Sequence, residues 1–474
     1  MAAISATSAT SISWSRFSNI VDGKCSGTKR TLQGVNPSTL EDLAPVPLSE
    51  SADVDRAVAA AKQAAPQWAR TPLTERQEAV LRFADAIEAG ADHFAEMLVR
   101  EQGKPIAAAA SELQEAVKYL RGIAHVPFSA EQVIEDIDER RVVTRYVPFD
   151  VSVAIIPWNL PVLIFTFKAA PALVAGSPLI VKPSPFTPYS ALKLVELAQH
   201  FFPPGVLQAL SGDDSLGPLL TAHPGVAKVS FTGSTATGRK VMESCARTLK
   251  RVTLELGGND PAIICAGVDV ASVAQKVCVG VKRVYVHSSI YRDFIEALAK
   301  AAKSMPVGDG FDKNSFLGPV QNASQYERVQ EFIQTVREGN LQLALGSAEK
   351  PSSQSKGYFV SPIIVDNPPD DSKIVQEEPF GPIFPVLQWD LEEDVIQRAN
   401  NTDMGLGASV WSRDAEQADR LSTQLEAGIV WINSHLIIQP HAPFGGHKSS
   451  GIGSEGGVDG IKAYCNTQTI YNYK

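Results

Sequence analysis

The chain has 474 residues, 44% of them hydrophobic and 20% charged, a composition that fits about three folded domains and excludes a disordered protein. Its 43 basic and 52 acidic side chains leave a formal charge of −9, so there is no basic excess for nucleic acid and that partner is set aside. The five cysteines, Cys25, Cys245, Cys265, Cys278 and Cys465, form no CxxC pair and no Cys/His metal spacing, so neither a disulfide framework nor a bound metal is indicated.

The first seventeen residues are rich in Ser, Ala and Thr but carry one arginine and no apolar core. That argues against a cleaved secretory signal and makes only a weak transit-peptide pattern. The most apolar window, Val151–Phe167, contains two prolines and is closed by Lys168, short of the roughly 20 apolar residues of a membrane span. A cytoplasmic protein with no membrane partner is expected. Helical spacing of apolar residues marks Ala52–Trp68, Pro72–Gly90 and Asp92–Gly103 as amphipathic helices. Arg140–Tyr146 alternates and is β-branched, the pattern of an exposed strand that must pair. From Val151 the short runs VSVAII, PLIVK, GVLQAL, AKVSF and KRVTLEL alternate with helical segments. Such runs suit strands buried on both faces, so residues 151–255 read as an open parallel sheet with right-handed crossovers. A second α/β alternation follows: AIIC, RVYVH, helices Tyr291–Ser304 and Ala323–Gly339, strands near Phe359–Val365 and Pro385–Gln388, and helix Glu393–Asn400. TQTIYNY at the C-terminal end is again strand-like.

Ligands of open parallel sheets sit beyond the C-terminal ends of the strands, so the loops there are the places for chemistry. Asn159, in Pro157-Trp158-Asn159-Leu160-Pro161, is either an oxyanion donor or a turn or N-cap residue. Lys182, before Pro183-Ser184-Pro185, either holds a ribose or phosphate or is simply solvated. Thr232 to Gly238 (TGSTATG) opens a helix with glycines and small hydroxyls, a weak anion-site pattern. Glu255, flanked by Leu254 and Leu256 and followed by two glycines, is a general-base candidate set against a surface glutamate before a turn. Cys278 has apolar flanks, which more often mark an inert core thiol. Gly451 to Gly456 satisfies GxGxxG but neither follows a strand nor lies in a β-α-β unit, and carries little weight.

In order, PWN, KPS, FTGSTATG, LELGG, EEPFGP and PFGGHKSSG resemble the NAD(P)-dependent aldehyde dehydrogenase superfamily, from about Asn19 to the C-terminus. The resemblance implies an α/β fold with an open parallel-sheet dinucleotide-binding domain (1–127 and 148–255), an α/β catalytic domain (256–445) and a small bridging β-sheet (128–147 and 446–474) used in homodimers or homotetramers. It implies NAD as cofactor, with NADP admitted. Gly233, Ser234 and Gly238 would lie by the pyrophosphate and Lys182 by the adenosine ribose. Glu378 and Phe380 would hold the nicotinamide side, and Ile156, Trp158, Ser184 and Leu256 would line the cofactor. Cys278 would attack the aldehyde, Asn159 would stabilise the oxyanion and Glu255 would activate water. Leu160, Ile164, Phe167 and Ile438 would face the substrate; being apolar, they favour aliphatic or aromatic aldehydes over semialdehydes of dicarboxylic acids.

Two departures qualify the resemblance. Pro185 stands where many members place a ribose-chelating glutamate, which relaxes the expected preference for NAD. Glu255 and Cys278 are 23 positions apart, roughly eleven fewer than the family's base and nucleophile by resemblance to its activated-thiol motif, and Lys276-Val277 replace the usual Gly-Gln. A block of that size is about three helical turns, or about 16 Å. The alternative function is therefore a catalytically silent dinucleotide-binding or scaffold member.

Overall fold

The computed structural model describes residues 12–278, 280–347 and 356–474, so most of the leader-like N-terminal pattern lies outside the described residues. Strands appear where the continuous apolar runs are. An eight-stranded sheet runs in the order Lys24–Ser26, Asn19–Val21, Leu207–Ala209, Leu179–Lys182, Ser152–Ile155, Lys228–Thr232, Arg251–Glu255 and Gly451–Ile452. The five strands from Leu207–Ala209 to Arg251–Glu255 are parallel. Counted along the chain their order is 3-2-1-4-5, so the topology reverses between Ser152–Ile155 and Lys228–Thr232. A crevice for a ligand opens at such a reversal, beyond the strands' C-terminal ends.

The helix Pro161–Ala175 leaves the first of these strands. Proline at its first turn suits a position that donates no backbone hydrogen bond, and Gly176 ends it in the left-handed region at φ +96°. Nearly every side chain on it is buried, because the chain's N-terminal helices Leu73–Ala89 and Ile106–Ala124 pack over its outer face. Ile106–Ala124 was not anticipated from the apolar spacing; its first turn is alanine-rich and blurs the amphipathic stripe.

A seven-stranded sheet follows in the order Leu343–Leu345, Ile363–Asp366, Ile383–Trp389, Arg283–His287, Pro261–Ile264, Gly407–Trp411 and Ile429–Ile432. The strand expected near Phe359–Val365 begins only at Ile363, directly after Pro362, which has no N–H to give a ladder. The crossover is closed: the eight-residue helix Val270–Val277, capped by Asp269, joins the adjacent parallel strands Pro261–Ile264 and Arg283–His287. Arg140–Pro148 is paired on both sides, by Glu131–Asp136 and by the C-terminal strand Cys465–Tyr473. The fold is α/β with two largely parallel sheets and a separate antiparallel one, as the chain's alternation of elements implied. No helix among the described residues is long and apolar enough to cross a membrane.

Candidate active site

The loop Ile156–Leu160 lies at the topological reversal, because it continues the strand Ser152–Ile155. Its backbone is held from behind. The buried Glu112 accepts the N–H groups of Val162 (2.9 Å) and Leu163 (3.1 Å) at the start of the following helix, and Lys104 ion-pairs with Glu112 while donating to Asn159 O at 3.0 Å. A carboxylate at a helix N-terminus is a favourable placement, and here it also fixes the segment that carries Asn159. Trp158 meets the ring of Phe380 edge-on, with centroids 5.3 Å apart.

Glu255 ends the strand Arg251–Glu255, which Lys228–Thr232 separates from Ser152–Ile155, and is 3% exposed. Its Oε2 accepts from Thr232 Oγ1 at 3.0 Å, whereas Oε1 has no partner among the described residues. Burial raises its pKa to about 7, Lys168 opposing and Glu455 adding to the rise. Behind it lies a buried polar cluster: Lys168 Nζ is 2.9 Å from Glu455 Oε1, and Ser230 Oγ donates to the same oxygen at 2.6 Å. Glu455 belongs to the segment whose Gly451–Ile452 strand pairs antiparallel with Leu254 and Glu255. The GxGxxG pattern thus forms a sheet edge beside the base candidate, not a nucleotide turn.

On the other side of Ser152–Ile155, at the end of the strand Leu179–Lys182, Lys182 is 4% exposed and donates to Pro183 O at 3.1 Å. Burial lowers its pKa to about 8, with Asp214 and Asp213 opposing. An ammonium so placed has donors to spare for hydroxyls or phosphate. Ser184 Oγ is turned back on its own loop, accepting Phe186 N–H at 3.3 Å. Ser234 caps the helix Thr235–Ala246 by accepting Thr237 N–H, and the N–H groups of Thr235 and Ala236 find no acceptor among the described residues. A Cβ at Gly238 would press on the terminal methyls of Leu256, which would have to move, so glycine leaves room for Leu256 beside the helix start. These residues fit a dinucleotide: a cation and a helix start with free N–H groups stand at the C-terminal ends of strands in one sheet.

Glu378 and Phe380 come to the same place from the second sheet. Glu378 Oε2 accepts Gly258 N–H at 3.3 Å, and Oε1 lies 3.4 Å from Lys282 Nζ. Gln325 holds the loop by donating to Pro379 O and Phe380 O at 2.9 and 3.0 Å. Phe380 sits at φ +47°, a strained backbone for a side chain of that size. Cys278 differs from the rest. It forms the C-terminal cap of Val270–Val277, half-buried against the apolar cluster of that helix and Tyr291–Lys303, with Sγ 3.9 Å from Met305 Sδ. Burial raises its thiol pKa. The same loop meets the site further on, through Gly280 against Leu436 and through Lys282. Leu160, Ile164, Phe167 and Ile438 share one apolar cluster. Phe167, 1% exposed and stacked on Tyr119 at 4.1 Å, packs as core, while Leu160 and Ile438 are only partly buried.

Lys104, Glu112, Glu455 and Lys282 were not singled out from the sequence. The one signal in the sequence is Lys168, a lysine that breaks an otherwise apolar helix.

Comparison with known proteins identifies the family. The chain matches the aldehyde dehydrogenase family over residues 25–470 and belongs to it. It is 39% identical to the putative aldehyde dehydrogenase FUS7 of Gibberella fujikuroi, over 98% of this chain and 100% of that one. It is 37% identical to phenylacetaldehyde dehydrogenase of Pseudomonas fluorescens, over 93% and 92%. The NAD+ complex of aldehyde dehydrogenase from Bacillus cereus superposes with a TM-score of 0.93 at 33% identity, covering 97% of this chain and 96% of that one. The chain is accordingly an NAD(P)-dependent enzyme of aldehyde oxidation.

Proposed function

We propose that the protein oxidises aliphatic or aromatic aldehydes to carboxylic acids, with Cys278 as nucleophile, Asn159 as oxyanion donor and Glu255 as the base that activates water. The observation that carries this reading is Glu255: a buried carboxylate at a crevice, one oxygen unpartnered and its pKa raised to about 7, is poised to take a proton near neutral pH. The dinucleotide, when bound, accepts the hydride. Lys182, Ser234 and the Gly233–Gly238 turn would hold its adenosine and phosphates, with Ile156, Trp158, Ser184 and Leu256 along it and Glu378 and Phe380 at the nicotinamide end. Cys278 would add to the carbonyl carbon to give a thiohemiacetal, and loss of hydride would leave a thioester that water, deprotonated by Glu255, hydrolyses. Reaching the carbonyl requires the thiol to leave Met305, and Gly280, at φ +89°, supplies backbone freedom in that loop.

Leu160 and Ile438 support an apolar aldehyde, as does the phenylacetaldehyde dehydrogenase relative. NAD is proposed as cofactor with NADP also accepted, since Pro185 offers no side-chain acceptor to the ribose. The sheet that pairs Arg140–Pro148 with Cys465–Tyr473 exposes Val133, Ile134, Ile470, Tyr471 and Tyr473, which supports a homodimer or homotetramer built on the 128–147 and 446–474 segments. The domain division given above and a cytoplasmic location complete the proposal. The test is rapid mixing of Glu255→Gln, made in a chain with about eleven residues inserted between Lys276 and Val277, with dinucleotide and a simple apolar aldehyde. A burst of reduced cofactor followed by slow turnover, with an acyl adduct on Cys278 by mass spectrometry, is expected. A burst without that adduct would refute Cys278 as nucleophile, and no burst at all would refute the division of labour between Cys278 and Glu255.

A further inference from the structure

Lys282 stands at a fixed point. Its own N–H and that of Arg283 both donate to Asp260 O at 3.1 Å, which anchors the entry to the strand Arg283–His287 beside Pro261–Ile264. From there its side chain reaches two cofactor-site residues at once. The ammonium is 3.4 Å from Glu378 Oε1 and 4.8 Å from the centre of the Phe380 ring. Glu378 Oε2 is already taken by Gly258 N–H, so both carboxylate oxygens are engaged. Trp158 also meets Phe380, edge-on at 5.3 Å between centroids. The side chains of Lys282 and Glu378 are only 21% and 17% exposed, so this contact is screened less than a surface pair. The adenosine end has no such plug: Lys182 has one backbone acceptor, and the first N–H groups of the Thr235–Ala246 helix have none among the described residues.

Resting on the assignment of Glu378 and Phe380 to the nicotinamide end, we propose that Lys282 is a gating residue of the cofactor site. It holds the carboxylate and covers the ring that the nicotinamide riboside needs, and leaves the adenosine end open. The dinucleotide then enters in two stages, adenosine first, and its second half must displace the ammonium. A partly buried ion pair plus a cation over an aromatic face is worth enough to cost a measurable part of the affinity.

The experiment compares AMP, which reaches only the adenosine end, with NAD by calorimetric titration of the full chain, Lys282→Met and Lys282→Arg. Methionine keeps the apolar stem and removes the charge, and arginine keeps both. In Lys282→Met the Kd for NAD is expected to fall about fivefold, about 1 kcal/mol, with the Kd for AMP unchanged and Lys282→Arg like the parent chain. Normal AMP binding with NAD affinity unchanged or weakened in Lys282→Met would overturn the gate while leaving the cofactor site standing. Loss of AMP binding in Lys282→Met alone would show a structural role and overturn it too. Failure of the parent chain to bind either nucleotide would overturn the cofactor assignment and the gate together.

Discussion

Glu255→Gln should make the protein more stable above neutral pH even as it disables hydrolysis. The carboxyl rises from 4.5 to about 7 because burial penalises the charged form, more than Lys168 and the Thr232 hydroxyl relieve it, with Glu455 adding to the rise. A folded-state value above the unfolded one means that the native protein binds the extra proton between those limits. The stability this group contributes is therefore complete below about pH 4.5 and is lost as the pH climbs through 7. At 1.36 kcal/mol per pH unit the interval corresponds to roughly 3 kcal/mol of disfavour at pH 8. The glutamine amide carries no charge to desolvate but forgoes the attraction of Lys168, so a gain of about 1–3 kcal/mol is expected at pH 8 and less than about 0.5 kcal/mol at pH 5. Urea unfolding followed by circular dichroism at both pH values, parent against variant, measures this. Glu101 and Asp260, also raised to about 7 by burial, cancel in the difference because both proteins carry them. An equal or lower midpoint for Glu255→Gln at pH 8 would refute the reasoning, and would mean that the carboxylate is solvated or paired in the folded protein.

An insert of about eleven residues between Lys276 and Val277, restoring the spacing by resemblance, should raise aldehyde turnover more than about a hundredfold, since even ~1 Å of misplacement costs that much; comparable turnover by both chains in a reduced-cofactor assay would show that Cys278 is delivered by another route. NAD and NADP should differ in affinity by less than about a hundredfold, or ~2.7 kcal/mol, because Pro185 cannot chelate the ribose; titration with each decides it. Lys168→Met should cost about 3–5 kcal/mol by leaving Glu455, 1% exposed, without its cation. Adding Glu455→Gln should recover much of that loss in the same urea assay.

The parallel sheets were legible because strands buried on both faces must be apolar throughout, and that pattern survives in VSVAII, PLIVK and AKVSF whatever the tertiary contacts are. The strand ends therefore led to Asn159, Lys182, Gly233 and Glu255 directly. Lys104 and Glu112 were invisible for the opposite reason. An ordinary Lys and Glu eight positions apart look like a solvated helix face, and only docking against Pro161–Ala175 gives them work at the Asn159 loop. Glu455 was hidden likewise, 287 positions from the lysine it meets. Cys278 shows the limit of motif reading: the family's Gly-Gln is absent before it, and the helix Val270–Val277 ends at the thiol and seats it against Met305.

Every residue assigned here to chemistry or cofactor lies after position 150, which makes the preceding helices look like packing that could be cut away. The Lys104–Glu112 brace says otherwise. A fragment starting at Val151 would keep every candidate catalytic and cofactor side chain and both parallel sheets' central strands. It would also expose the outer face of Pro161–Ala175 to water and leave the Asn159 carbonyl and the Val162 and Leu163 N–H groups without their partners. Glu101, which caps the helix Tyr189–Ala198 by accepting the N–H groups of Tyr189 and Ser190, would go with them. Domain dissection, circular permutation or tag insertion in this enzyme therefore has to spare residues 101–112, a stretch that touches no reacting atom and sets where two of the site's helices begin.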